Sequence, residues 1–497
     1  MFSSYPRRQV STLLLPLVAL LWAQGAVANM APDLDAIIDA PSTPAAHWGI
    51  HIIESDSGQV LYSRNGATPF VPASVVKLIT TAVALDRLGP DYTFTTHIQF
   101  PHRQIHSDGV IRGDLQLIGG GDPTLGTPEG AVGRTVLDRW ARQLVSEGVK
   151  RIEGNIVGID NLFVDEPLGK GWAWDDENHA FSAQSSGLTV HGGVAGYRIE
   201  KNRKKRLSKS QIHLYPENNY LQSEVVVTDE QSWVAIGRER GTNKFVVTVP
   251  EKMRRNPKMS GKVTVDNPTI YAAALFKEAV IRAGVEVTGN ALDSDQIKGY
   301  RKQSGLIWSH NSNPLSEILP LANKRSINLV AEHLLRTLGV KRNRDGEVIK
   351  SGSVDRGMQS INRFLKRLKI KSYRYHLVDG SGLSRYNLFR PEDLVKVLSS
   401  MRGHSDARVF RSSLSRAGHD GTLRYRFHKT PLQGKVWAKT GTLSGIRTIA
   451  GHLKTPKGRE LTFAVLVNNY ASGKRKIRNR IDSLLIKAAE WADREKR

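Results

Sequence analysis

Residues 436–468 read VWAKTGTLSGIRTIAGHLKTPKGRELTFAVLVN. Two runs within it, Thr448 to Leu453 and Leu461 to Asn468, are apolar and rich in β-branched residues, the pattern of strands. Ahead of them, Val436-Trp437-Ala438 is a third strand-like run that leads into Lys439-Thr440-Gly441. Behind them, Ile477, Ile481, Leu484, Leu485, Ala488 and Trp491 fall on one helical stripe. At the other end of the chain Trp48, Ile50 and Ile52 alternate with Gly49, His51 and Ile53, a strand buried on at least one face. A turn at Asp56-Ser57-Gly58 and a second run at Val60-Leu61-Tyr62 complete a hairpin. A helix follows from about Ser74 to Leu88, with Leu78, Ala82 and Leu85 at helical spacing and Gly89-Pro90 as its stop. A hairpin at the start, strands at the end and a closing helix predict an α/β (α+β) domain whose one sheet is built from both chain ends.

The middle of the chain reads differently. From about 91 to 308 glycine is more frequent and short alternating runs recur, as in Leu115-Gln116-Leu117-Ile118 and Glu224-Val225-Val226-Val227. This stretch is expected to be an inserted mixed or β-rich region of one or two small subdomains, with one domain formed by 29–90 and 309–497. From Asn313 the helical pattern returns, with Leu329, Leu334, Leu335 and Leu338 on one face and Ser326 at its opening.

Composition narrows the chemistry. The 497 residues contain no cysteine, which excludes disulfides, thiolate zinc sites, iron–sulfur ligation and a cysteine nucleophile. Arg7 and Arg8, the apolar run Leu13 to Trp22 and the small-x-small site Ala26-Val27-Ala28 predict a cleavable signal over 1–28 and an exported, periplasmic protein. The net charge is +25. Outside the cytoplasm such a charge points away from nucleic acid and towards peripheral association with anionic wall polymer or membrane surface. The densest basic run, Lys201 to Lys209, has only Tyr197 as a nearby aromatic and so lacks a stacking platform for bases.

Three short strings carry candidate chemistry. Ser74-Val75-Val76-Lys77, the only Ser-x-x-Lys in the chain, puts a hydroxyl and an amine on one face of a helix. A serine needs a base to become a nucleophile, and a lysine whose pKa is depressed by burial can be that base. Lys439-Thr440-Gly441 at a strand suits an extended peptide: a cation for a carboxylate, and a glycine that lets backbones come close. Ser326-Ile327-Asn328 is the weakest as a pattern, since Ser63-Arg64-Asn65, Ser309-His310-Asn311 and Ser360-Ile361-Asn362 match it too, and only its place before the amphipathic segment singles it out. Jointly and in this order the three are the motif set of serine β-lactamases and penicillin-binding proteins.

With these motifs the chain resembles the class C low-molecular-mass penicillin-binding proteins, the D-alanyl-D-alanine carboxypeptidase/endopeptidase group of penicillin-binding protein 4 type. Further strings carry the likeness: Gly119-Gly120-Gly121-Asp122-Pro123, Gly171-Trp172-Ala173-Trp174-Asp175-Asp176, Asp379-Gly380-Ser381-Gly382-Leu383-Ser384-Arg385 and Asp420-Gly421-Thr422-Leu423. So does the long insertion between Ser74 and Ser326. The resemblance implies a β-lactamase/DD-peptidase-like transpeptidase domain that needs neither metal nor cofactor. It implies peptidoglycan stem peptides as substrate and β-lactams as covalent inhibitors. By position it makes Ser74 the nucleophile, Lys77 its base, Ser326 a proton relay and Asn328 a ligand of Lys77 and substrate. Lys439, Thr440 and Thr442 become anchors of the terminal carboxylate, beside Gly441, and the Ser74 and Thr442 backbone N–H groups the oxyanion hole. Asp176, Phe181 and Arg385 match a pocket for the stem side chain, where Ser444 departs from the glutamine of some relatives.

Other readings of the same residues are a β-lactamase or related serine amidase or esterase, and a non-catalytic wall-binding protein. A zinc amidase finds little support: His102 and His106 stand at i, i+4, but no His-Glu-x-x-His occurs.

Overall fold

The structure is a computed structural model and describes residues 30–494 apart from 103–104, 106, 127–134, 200–211, 231, 252–258, 302 and 472. The leader expected over 1–28, His106 and the basic run Lys201–Lys209 lie outside the described residues.

Both chain ends enter one six-stranded antiparallel sheet. Its strands run in the order Ser415–Arg416, Val436–Leu443, Ile446–Lys454, Glu460–Asn468, His47–Glu54 and Val60–Arg64. The two-residue turn Ser444-Gly445 joins the second and third, and Gly445 there takes a φ of 72° that a side chain would disfavour. Side chains alternate between the faces of a strand, so a strand covered on both sides must be apolar throughout. Glu460–Asn468 shows this. Leu461, Phe463, Val465 and Val467 belong to the apolar cluster beneath helices Ala31–Ile38 and Lys474–Arg494. Ala464 and Leu466 belong to the opposite cluster, with side chains of helices Val76–Leu88, Leu315–Asn323, Asn328–Thr337, Val354–Arg367 and Pro391–Arg402.

Helix Val76–Leu88 runs through the middle of that second cluster, every residue from Val76 to Leu85 buried. Gly89, at φ 79°, ends it and donates its N–H to the Leu85 carbonyl at 3.1 Å. The segment from Asn313 forms two helices, and Ser326 stands just ahead of the second, Asn328–Thr337, where the sequence placed it. The first, Leu315–Asn323, contains Pro320, and between the two Ser326 adopts φ 60°, a left-handed conformation no helix continues through.

Among the described residues of the inserted region lie four smaller sheets and helices Val136–Ser146 and Pro268–Arg282. The largest, five-stranded, orders Ala291–Asp293, Ile156–Ile159, Leu115–Ile118, Thr95–Gln99 and Ile307–Asn311; its last strand extends on both sides of position 308. Contacts with the domain built on the six-stranded sheet are specific. His333 lies 3.0 Å from the Gly121 carbonyl, Trp172 Nε1 donates to Asp379 at 3.0 Å, and Arg336 donates to the Glu166 carbonyl at 2.8 Å.

Candidate active site

Ser74 sits in the short helical turn Ala73–Val75 that feeds helix Val76–Leu88. The preceding Ala73 has φ 50°, a strained position for a residue with a Cβ and of the kind that clusters at active sites. One turn on, Lys77 is wholly buried. Its Nζ lies 3.1 Å from Ser74 Oγ, 2.6 Å from Asn328 Oδ1 and 2.6 Å from the Ser381 carbonyl. Burial pushes the Lys77 ammonium down to about 7, although the negative charges of Asp379 and Glu332 pull the other way. A neutral amine has two N–H groups and one lone pair. The two carbonyl oxygens can only accept and so take both N–H groups, which leaves the lone pair for the Ser74 hydroxyl.

A second buried lysine faces the second serine. Lys439 Nζ donates to Ser326 Oγ and to the Thr440 carbonyl, both at 2.7 Å. Burial holds it well below the usual lysine range, and the nearby Lys77 charge adds to the effect. Asn328 closes the arrangement: its Oδ1 accepts a hydrogen bond from Lys77 Nζ while its Nδ2 donates to the Phe181 carbonyl at 2.7 Å.

Ser74, Ser326, Asn328, Thr442, Asp176, Phe181 and Arg385 line one cleft of about 750 Å³. Lys77, Lys439 and Gly441 are buried. Gly441 is where strand Val436–Leu443 touches the serine turn: a Cβ there would press on Thr448 Oγ1 and stand 2.9 Å from the Ser74 nitrogen. Thr448 Oγ1 in turn donates to the Pro72 carbonyl at 2.8 Å, so the sheet fixes the turn that presents Ser74. Arg385 donates to the Ser444 carbonyl at 3.0 Å, and burial with the adjacent Asp175 raises the Asp176 carboxyl above its ordinary range against the opposing pull of His179 and Arg385.

A supporting layer escaped the sequence reading. Glu332 is fully buried, pairs with Arg336 at 3.0 Å and accepts from the Gly380 and Ser381 N–H groups at 3.0 and 2.9 Å. Asp379 accepts from Gly382 and Ser384 N–H, each at 2.7 Å. Together they set the loop that aims the Ser381 carbonyl at Lys77. Asn328, Glu332 and Arg336 recur at i, i+4 and i+8, and this polar stripe along the helix was the available signal.

A serine hydroxyl facing a depressed, hydrogen-bond-saturated lysine at the wall of a cleft defines a serine acyl-transfer hydrolase. Within that class the chain belongs to the D-Ala-D-Ala carboxypeptidase 3 (S13) family, matched over residues 30–488, and is a serine-type D-alanyl-D-alanine carboxypeptidase. It is 32% identical over 498 residues to the D-alanyl-D-alanine carboxypeptidase of Actinomadura sp. (strain R39), covering 97% of this chain and 88% of that protein. Its fold matches penicillin binding protein 4 (dacB) from Haemophilus influenzae with a TM-score of 0.77 and 24% identity over 94% of this chain and 100% of that one. The same Haemophilus protein complexed with a β-lactam matches with a TM-score of 0.72 and 23% identity, at the same coverage of both chains. No helix among the described residues is long and apolar enough to cross a membrane.

Proposed function

We propose that Ser74 Oγ attacks the carbonyl carbon between the last two D-alanines of a peptidoglycan stem while its proton passes to Lys77 Nζ. The carbon–nitrogen bond breaks, the leaving amine takes a proton through Ser326, and the stem remains as an ester on Ser74. Water then hydrolyses the ester, releasing the shortened stem carboxylate and restoring the Ser74 hydroxyl. Asn328 holds Lys77 and the substrate amide. The Ser74 and Thr442 backbone N–H groups stabilise the oxyanion, an effect typically on the order of 10²–10³ in rate. Lys439, Thr440 and Thr442 form the carboxylate end of the site, and Asp176, Phe181 and Arg385 receive the stem side chain. The same chemistry cleaves D-alanyl cross-links, because the bond broken is again an amide of D-alanine. It also makes β-lactams covalent inhibitors, in keeping with the β-lactam complex of the Haemophilus relative. The enzyme acts outside the cytoplasm, in the periplasm, where a strongly basic chain is drawn to anionic wall and membrane surfaces.

The observation that carries this reading is the Lys77 amine 3.1 Å from Ser74 Oγ with both of its carbonyl partners at 2.6 Å. Intact-mass analysis after incubation with benzylpenicillin tests it. The wild type gains one penicilloyl group that persists, and Ser74→Ala gains none. A folded Ser74→Ala protein that is still acylated overturns the assignment, and rapid loss of the adduct favours a β-lactamase. Mass identification of products from purified cross-linked wall fragments separates release of D-alanine from cross-link cleavage.

A further inference from the structure

The carboxylate end of the cleft poses an electrostatic problem. A peptide ending in D-alanine carries a terminal carboxylate that must leave water, and desolvating an anion without a cation to meet it is costly. Lys439, at that end of the site, cannot meet that charge alone. It is wholly buried, is not among the residues lining the cleft, and its Nζ is engaged by Ser326 Oγ and the Thr440 carbonyl. Burial and Lys77 also disfavour its charged form. Arg385, a second cation, is turned towards the Ser444 carbonyl and stands near Asp176.

Arg447 meets the requirement. It lies on strand Ile446–Lys454, directly opposite Thr442 in the pairing with strand Val436–Leu443, and both residues line the cleft with Ser74. Its Nη1 donates to Thr442 Oγ1 at 2.9 Å, while its buried Nε–H has no hydrogen-bond partner. No carboxylate among the described residues lies within ion-pair distance of it. A guanidinium carries five N–H donors in a plane and stays charged when partly desolvated, so it can hold the Thr442 hydroxyl and still meet an anion.

We propose that Arg447 is a specificity-determining residue that pairs with the terminal carboxylate of the substrate beside Thr442, the role its neighbour Lys439 is too enclosed to fill alone. This rests on the reading of Ser74 and Thr442 given above.

The test compares a tripeptide ending in Lys-D-Ala-D-Ala with the same peptide amidated at its C-terminus, on the wild type, Arg447→Gln and Arg447→Lys. Arg447→Gln is expected to lower kcat/KM for the free acid about 10- to 100-fold, mainly through KM, the usual worth of a hydrogen bond to a charged group. It should leave the amide within about twofold of wild type, and Arg447→Lys should restore part of the preference for the acid. Where the amide turns over too slowly, acylation rates with benzylpenicillin and its methyl ester supply the same ratio. Equal losses on acid and amide would make Arg447 merely structural, and an unchanged ratio would remove it from recognition; either overturns the proposal. Failure of the wild type to be acylated at Ser74 instead overturns the reading on which it rests.

Discussion

At the scale of single residues the site is a problem in keeping a lysine neutral. Free lysine is charged at neutral pH, and only removal from water brings Lys77 down to about 7. The two carboxylates that oppose the shift, Asp379 and Glu332, are held by backbone N–H groups and, for Glu332, by Arg336, so their influence on Lys77 is moderated. Under the proposed role of the neutral amine as base, acylation grows as the proton leaves. The rate of acylation by benzylpenicillin is expected to climb through pH 7 with a single ionisation and to level above it. Lys77→Arg, which stays charged at every pH, should lose about 10²–10⁴ in rate without recovering in alkali. A flat profile between pH 6 and 8 in stopped-flow measurements would remove Lys77 from the role of base. Not every residue of this kind was legible. Ser74 and Lys77 were found because both stand on one turn, where spacing alone implies contact. Arg447 belongs to no motif: its relevance comes from strand register, which a string of letters does not display. The Ser381 carbonyl is a backbone atom, and any residue type at that position offers one.

At the scale of elements the strand of Lys439 and the turn of Ser74 work as one device, with Gly441 as their point of contact. An alanine there would push its methyl into Thr448 Oγ1 and against the Ser74 nitrogen, and the turn or the strand would have to give way. Gly441→Ala is expected to cost about 1–3 kcal/mol in urea unfolding, the usual penalty for overpacking. It should lower acylation by about 10²-fold or more, as loss of an oxyanion donor does. An acylation rate kept within twofold would mean that this contact does not set the Ser74 N–H. The legibility of elements followed the same division between local and distant. The run Leu461–Asn468 was legible as a strand from its apolar letters, and the structure shows its side chains alternating into two clusters, one on each face. Ser326 was legible as the opening of the amphipathic segment that becomes helix Asn328–Thr337, but nothing in the letters announces the left-handed break at the serine itself. That break turns Ser326 Oγ to Lys439, so the feature hidden from periodicity is part of the site.

At the scale of the molecule the middle of the chain is a working wall of the cleft. Gly171, Ala173, Asp176 and Phe181 line it, and the Phe181 carbonyl fixes the Asn328 amide. The relation between this wall and the catalytic helices passes in part through His333, on the same helix as Asn328. Its Nδ1 lies 3.0 Å from the Gly121 carbonyl, which can only accept, so this nitrogen carries the proton. The Phe163 ring stands edge-on at 5.4 Å, and Nε2 is buried without a partner. Burial lowers the pKa of His333 to about 3. In the unfolded chain the same imidazole takes a proton below about 6.5. Between these values the unfolded state binds one proton more than the folded state, so stability falls as the pH falls. The contribution is fully present above about 6.5 and is lost at about 1.4 kcal/mol per pH unit below it, roughly 2 kcal/mol by pH 5. His333→Asn keeps an N–H donor near Gly121 but cannot titrate. Its unfolding free energy in urea should therefore drop less between pH 7 and pH 5 than that of the wild type, by that same amount, whatever its stability at pH 7. Parallel pH dependences in the two proteins would show that the contact between wall and catalytic helix is not what mild acid attacks.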